Sequence, residues 1–184
     1  SILFTAMFTG IEVIWDRQFG FLKETLVAPV SRTTILLGRS FGGATVSTIQ
    51  GVVVGLIALI VGFRPEPAGI LLALLICACT GLFFTLVGTA IASRMEDMQA
   101  FPIIINFVIM PLFFLSSALF PLDQAPRALQ IIAYANPLTY AVDGIRHAVS
   151  GSGVIPIGVS LSVLFAVTLG AVYLGKVLFE RIQL

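Results

Sequence analysis

AGILLALLICACTGLFFTLVGTAIA, residues 68–92, holds no charged side chain. Crossing about 30 Å of hydrocarbon takes roughly 20 apolar residues in a helix, because backbone N–H and C=O groups must be paired within the segment where no water reaches them. This run meets that length, and it lacks the apolar-out, polar-in alternation of a membrane barrel strand. The chain as a whole agrees with it: 58% of residues are hydrophobic, 10% are charged and the mean hydropathy is +1.09. A soluble domain carries about 25% charged residues, and one of 184 residues cannot enclose so much apolar side chain in its own core. Lipid is the missing solvent.

Outward from residues 68–92, four more candidate spans follow by the same criterion. Residues 35–63 are interrupted only by Arg39 and Gln50 among strongly polar groups, residues 100–120 pass through Pro102 and Pro111, and residues 154–175 are closed by Lys176. Residues 1–14 are apolar with no positive flank before them, so they read as the tail of a span and not as a signal peptide, and the chain as a fragment cut at its start. The expected fold is all-α: a single polytopic transmembrane helix bundle over residues 1–184, with five spans of which the first is truncated.

Basic residues are retained on the cytoplasmic side during insertion. Arg17, Lys23, Arg32, Arg39, Arg94, Lys176 and Arg181 fall in one set of alternate connections, and only Arg64, Arg127 and Arg146 in the other, so the first set and the carboxyl terminus are expected inside. A net charge of +1 leaves no basic face for nucleic acid. Cys77 and Cys79, in an uncharged stretch, read as small buried hydrophobes. His147, the only histidine, has no cluster of Cys or carboxylates around it and reads as a solvated outer-surface residue, so no metal site is expected. Gly170–Lys176 fits the first seven positions of a phosphate loop, but Val177 stands where a hydroxyl must bind magnesium and no strand precedes it. The chain therefore carries no ATPase motif and no catalytic residue.

Two connections hold more information than the spans. The inner one, residues 15–29, places Trp15, Phe19, Leu22 and Leu26 at steps of four, three and four on one helical stripe, with Arg17, Lys23 and Glu24 elsewhere and Pro29 as a stop. It is either a helix lying in the headgroup layer or a docking helix for a cytoplasmic partner. The outer one, residues 120–153, is too long for a plain loop. Asp123 can cap a short helix with Pro126 in its first turn and Leu129, Ile132 and Ala133 on its apolar face, and Asn136-Pro137 breaks the run. A second short helix follows over residues 138–149 with Asp143 and Arg146 three apart, and Gly151-Ser152-Gly153 makes a flexible joint. Both helices are too short to cross and should lie on the membrane or dip into it.

Within the spans, Gly43, Ser47, Gly51 and Gly55 recur every fourth residue and give residues 35–63 a groove for a neighbouring helix, within the subunit first and in a dimer second. Asn106 and Pro111 are candidates for lining a path, the alternative for Asn106 being a helix-to-helix hydrogen bond.

The inner stretch DRQFGFLKETLVAPVSR (16–32) with TTILLGRSFGGA (33–44), and the outer stretch LFPLDQAPRALQIIAYANPLTYAVDGIRHAV (119–149), are similar to the permease subunit of the type-2 family of ATP-binding-cassette exporters, and with the order of spans the resemblance covers essentially the whole chain. It implies six spans in the complete protein, a plasma membrane location such as a bacterial inner membrane, a second permease copy and a cytoplasmic ATPase subunit that binds ATP and Mg. It implies that Trp15, Arg17, Phe19, Leu22, Lys23, Glu24 and Leu26 couple to that ATPase. It makes Asp123, Pro126, Asn136, Pro137, Thr139, Tyr140, Asp143 and Arg146 part of paired outer helices that close the exit. The nearest likeness is to the drug and antibiotic-resistance branch, so amphiphilic drugs are the first substrate expectation and polysaccharide or lipo-oligosaccharide the second. A secondary carrier driven by an ion gradient is the reading of a different class. Carboxylates deep in the spans would mark it, and Glu12, Glu66, Asp97 and Asp123 all fall at span ends or in loops.

Overall fold

The computed structural model describes residues 1–20, 31–62, 65–95, 97–119 and 126–180, and among these the regular structure is helical with no strand. In chain order the helices are α1 (Ile2–Phe8), α2 (Ile11–Gln18), α3 (Arg32–Ile60), α4 (Pro67–Ala92), α5 (Ala100–Phe114), α6 (Arg127–Ala135), α7 (Pro137–Ser150) and α8 (Ile157–Glu180). Three are long and apolar enough to cross a membrane: Thr33–Ile60, Pro67–Ala92 and Ile157–Val177.

The uncharged helix α4 is the central post. A helix apolar all round must be covered on more than one side, and Ile76, Thr80, Phe84, Leu86, Thr89 and Ala92 are all buried. α3 runs antiparallel to it, since Gly43 faces Thr85, Ser47 faces Gly81 and Gly51 faces Cys77. α8 runs parallel to it: Gly144 of α7 is wedged between Ile76 of α4 and Ile157 and Ser160 of α8, while Gly175 of α8 lies against Leu86 further along α4. The main core joins Leu3, Met7 and Ile14 of the first two helices to Phe84 of α4, Phe101, Ile105 and Ile109 of α5, and Leu138 and Ala141 of α7. Lipid tails are as apolar as leucine, so these helices gain by close van der Waals fit and not by leaving water. Small residues at the crossings supply that fit.

Two boundaries differ from the sequence reading. Residues 1–14 are not one helix followed by a second from Trp15; the break falls at Thr9-Gly10, and α2 carries Glu12, Val13 and Ile14 together with Trp15 and Arg17. Thr9 Oγ1 donates to the Ala6 carbonyl at 2.5 Å, and the Gly10 N–H bonds three residues back to Met7, which tightens the turn. Gly10 then passes so close to α4 that a Cβ there would sit 2.5 Å from the Gly88 carbonyl oxygen. Likewise α5 stops at Phe114 and does not reach Phe120. Its 15 residues rise roughly 22 Å. Pro111 removes a helical N–H, and the chain turns after Leu115 with Ser117 at φ 28°.

Candidate functional site

The outer segment is bound into the bundle through side chains that reach carbonyls at the end of α5 and in the turn beyond it. Asn136 caps α7, its Oδ1 accepting from the Leu138 N–H at 3.0 Å, while its Nδ2 donates to the Leu112 carbonyl at 2.7 Å. Pro137 fills the first position of α7, where no N–H is needed. Thr139 Oγ1 donates to the Ala133 carbonyl at 2.7 Å and Tyr140 Oη to the Tyr134 carbonyl at 2.9 Å, so α6 and α7 hold each other. Arg146 donates from Nη2 to the Ser117 carbonyl at 3.0 Å, with its Nη1 3.9 Å from Asp143 Oδ1. Asp143 is buried and accepts the Val154 and Ile155 N–H groups at 3.0 and 2.8 Å.

Several expectations for this segment are corrected. Pro126 precedes α6 and is not inside its first turn. Of the expected apolar face, Ala133 is buried but Leu129 and Ile132 are exposed among the described residues, where α6 packs chiefly against α7. The Gly151-Ser152-Gly153 joint is tied: Gly151 ends α7 at φ 67°, the chain beyond is pinned on Asp143, and Gly153 lies so close to His147 that a Cβ would stand 2.6 Å from its Cβ and 2.8 Å from its ring Nδ1. His147 is accordingly half-buried, its Nδ1 enclosed without a partner among the described residues, and is not a solvated surface group. Asp123 lies outside the described residues.

At the opposite end of the bundle, Trp15 and Phe19 stand four apart on α2 and just beyond it, 44% and 69% exposed. Between them two residues make attachments that the residue pattern did not signal. Asp16 pairs with Arg39 of α3, and Arg17 grips the end of α4, donating from Nη2 to the Ser93 carbonyl at 3.0 Å and from Nη1 to the Met95 carbonyl at 3.1 Å. A guanidinium there meets the unpaired carbonyls and the negative end of the helix dipole. Arg17 is thus directed into the chain and away from the exposed Trp15–Phe19 ridge. Arg39, an interruption of an otherwise apolar span, has a carboxylate partner, and Gln50 accepts from Thr5 Oγ1 of α1. Leu22, Lys23, Glu24 and Leu26 lie outside the described residues.

A profile described as ABC-2 type transporter matches residues 1–149, which takes in everything from α1 to the last turn of α7. The chain belongs to the ABC-2 type transporter family. It is 31% identical to the transport permease ycf38 of Porphyra purpurea over 97% of this chain and 67% of that protein. With ycf38 of Cyanophora paradoxa the figures are 36%, 78% and 50%, and with nodulation protein J of Rhizobium leguminosarum bv. viciae 32%, 89% and 64%. The chain thus spans between half and two thirds of the length of these relatives. As an ABC-2 permease domain it is a multi-pass membrane protein.

In this ABC-2 chain the small-residue stripe of α3 divides. A Cβ on Gly43 would meet Thr85 Cγ2 at 2.6 Å and one on Gly51 would meet Ile2 Cδ1 at 3.0 Å, and Ser47 is fully buried against Gly81, whereas nothing lies within 4 Å of Gly55. Gly55 instead opens onto a crevice of about 480 Å³ between α1, α3, α4 and α7, with Gly51 at its edge and Leu59, Leu74, Leu138 and Val149 among its walls. Asn106 and Pro111 are not on that crevice. Asn106 is half-buried and bonds to no described residue, so the helix-to-helix hydrogen bond is not made, and Pro111 is exposed on α5. The phosphate-loop fragment 170–176 is continuous helix within α8.

Proposed function

We propose that this chain is the membrane-spanning part of an ATP-driven exporter that moves a hydrophobic or amphiphilic, drug-like substrate out of the cytoplasm or its inner leaflet. ATP and Mg are bound and ATP hydrolysed by a separate cytoplasmic subunit, and two permease copies enclose the path. The observation that carries this reading is the exposed Trp15–Phe19 ridge on a helix fixed at the same end to α3 and α4, in a chain of the ABC-2 family. An apolar ridge can seat in a groove of the ATPase, and a packed helix passes on a rigid displacement because packed elements shift as units between discrete arrangements. Leu22, Lys23, Glu24 and Leu26 continue the ridge and its flanking charges in the sequence. At the other end α6 and α7 close the exit.

The apolar crevice supports a substrate with an apolar portion. A second reading is export of a polysaccharide or lipo-oligosaccharide by the same type of transporter.

The test is ATPase activity of the permease co-purified with its cytoplasmic ATPase, comparing the unaltered protein with Phe19→Asp, Leu22→Asp and Glu24→Lys. Vanadate-sensitive hydrolysis that loses its coupling to transport in these variants is the expected result. Transport that follows an imposed proton or sodium gradient with no ATPase involved would replace this reading by a secondary carrier. Inside-out vesicles loaded by the complex with Hoechst 33342, or with a fluorescent lipo-chitooligosaccharide, separate the two substrate classes.

A further inference from the structure

Left-handed backbone is open to glycine, but in most other residues Cβ then crowds the following carbonyl oxygen. Ser117 stands there at φ 28°, and among the described residues it is the one non-glycine with a positive φ. A serine hydroxyl can ease an unusual turn by bonding to nearby backbone. Ser117 Oγ does not, being enclosed with no partner among the described residues. The chain before it is relaxed: the Leu115 N–H bonds to the Pro111 carbonyl at 3.0 Å, and Ser116 Oγ donates to the Phe113 carbonyl at 2.8 Å.

Strain of this kind persists only where surrounding contacts over-determine the backbone. The contact here is Arg146. Its Nη2 donates to the Ser117 carbonyl at 3.0 Å while its Nη1 stands 3.9 Å from Asp143 Oδ1, and Asp143 is itself fixed by the Val154 and Ile155 N–H groups. One guanidinium thus joins the turn after α5 to α7 and to the entry of α8. The opposite end of α7 has a separate tie to the same stretch of chain, Asn136 Nδ2 on the Leu112 carbonyl at 2.7 Å.

We propose that Ser117 is a strained hinge held shut by Arg146. With the bond in place, the turn after α5 keeps its left-handed form and α7 stays drawn onto it. When the bond breaks, Ser117 relaxes to an ordinary φ and the Arg146 end of α7 is released, while Asn136 still holds at Leu112. The outer pair α6 and α7 therefore swings about its Asn136 end and does not detach as a unit. The hinge rests on these contacts alone, and its part in opening the exit rests on the exporter reading.

Amide hydrogen exchange over residues 127–150 of the full-length permease in nanodiscs reads this release, because exchange reports local opening. Ser117→Gly removes the strain and keeps the Arg146 bond, so exchange should slow about five-fold, the equivalent of roughly 1 kcal/mol. Ser117→Val, whose branched side chain suits a positive φ still less, and Arg146→Met should each quicken it by about the same factor. In the Arg146→Met background Ser117→Gly should change nothing, since no strain is left to relieve. Exchange in α4 should stay unchanged throughout, as it would not if these variants merely weakened the whole fold. Faster exchange in Ser117→Gly, or additive effects of Ser117→Gly and Arg146→Met, would overturn the hinge. The measurement needs no nucleotide, so it stands apart from the exporter reading, which fails if the unaltered permease with its ATPase shows no ATP-driven transport. Where that transport is present, Ser117→Gly should slow it, and an unchanged rate would overturn the hinge's part in the exit.

Discussion

Glycine-to-alanine substitution at three positions separates packing by backbone from packing by side chain. At Gly88 a Cβ would stand 2.4 Å from the Met7 carbonyl oxygen and 2.9 Å from Met7 Cα, both backbone atoms of α1. Neither can rotate away, so α1 and α4 must separate by several tenths of an ångström over a crossing that also brings Gly10 against Gly88. Overpacking of this kind costs about 1–3 kcal/mol. At Gly43 the obstacles are the side chains of Thr85 and Thr9, which can turn, and the cost should fall to about 1 kcal/mol. At Gly55 nothing lies within 4 Å, and alanine in a helix is favoured over glycine by roughly 0.5–1 kcal/mol. All three positions lie inside helices and share that gain, so the order of stability is Gly55→Ala at or above the parent, Gly43→Ala near it and Gly88→Ala lowest, with a span of about 1–3 kcal/mol between the extremes. Reversible SDS-induced unfolding of the chain in mixed micelles, followed by helical circular dichroism, measures it. A Gly88→Ala protein as stable as the parent, or a Gly55→Ala protein as weak as Gly88→Ala, would refute the claim that α1 and α4 meet through backbone.

Asn136→Ala removes both the cap of α7 and the tie to the Leu112 carbonyl; about 1–3 kcal/mol should be lost, with trypsin nicking near Arg127 rising first as α6 and α7 loosen. Asp143→Leu leaves the Val154 and Ile155 N–H groups unanswered and should cost about 2–4 kcal/mol in the same unfolding assay, since buried donors lose their acceptor, whereas Asp143→Asn, which keeps one acceptor oxygen, should cost about half as much. Thr85 Oγ1 is buried with no partner among the described residues, so Thr85→Val, nearly the same shape, should be neutral or stabilising by up to about 1 kcal/mol; a clear destabilisation would mean that the hydroxyl has a partner after all.

What the sequence made legible was whatever depends on local rules. An uncharged run of spanning length announces α4, and Asn136-Pro137 announces the junction of α6 and α7 because a cap and a proline act on their own neighbours. The stripe of small residues on α3 foretold contact at Gly43, Ser47 and Gly51, but periodicity cannot say where a neighbour ends, and Gly55 lies beyond it on the crevice. The misplaced features all depend on contacts across the fold. Nothing in residues 1–14 marks a break at Thr9-Gly10, whose cause lies in Gly88 some eighty residues on. His147 read as solvated for want of a polar neighbour in sequence, and is enclosed because Asp143 pulls the following turn back over it. For the Asp16 pair the sequence does carry a hint: Arg39 stands inside an otherwise apolar span, and an arginine so placed prefers a carboxylate to lipid. In a helical membrane bundle, each strongly polar residue inside a span therefore poses the question of which residue answers it. Here Gln50 is answered by Thr5 and Arg39 by Asp16, both on the first two helices, which fixes α1 and α2 against α3 at two depths. Asn106 of α5 has no answer among the described residues, so the same reasoning makes it the polar group in the spans still free to meet a second permease copy or a substrate.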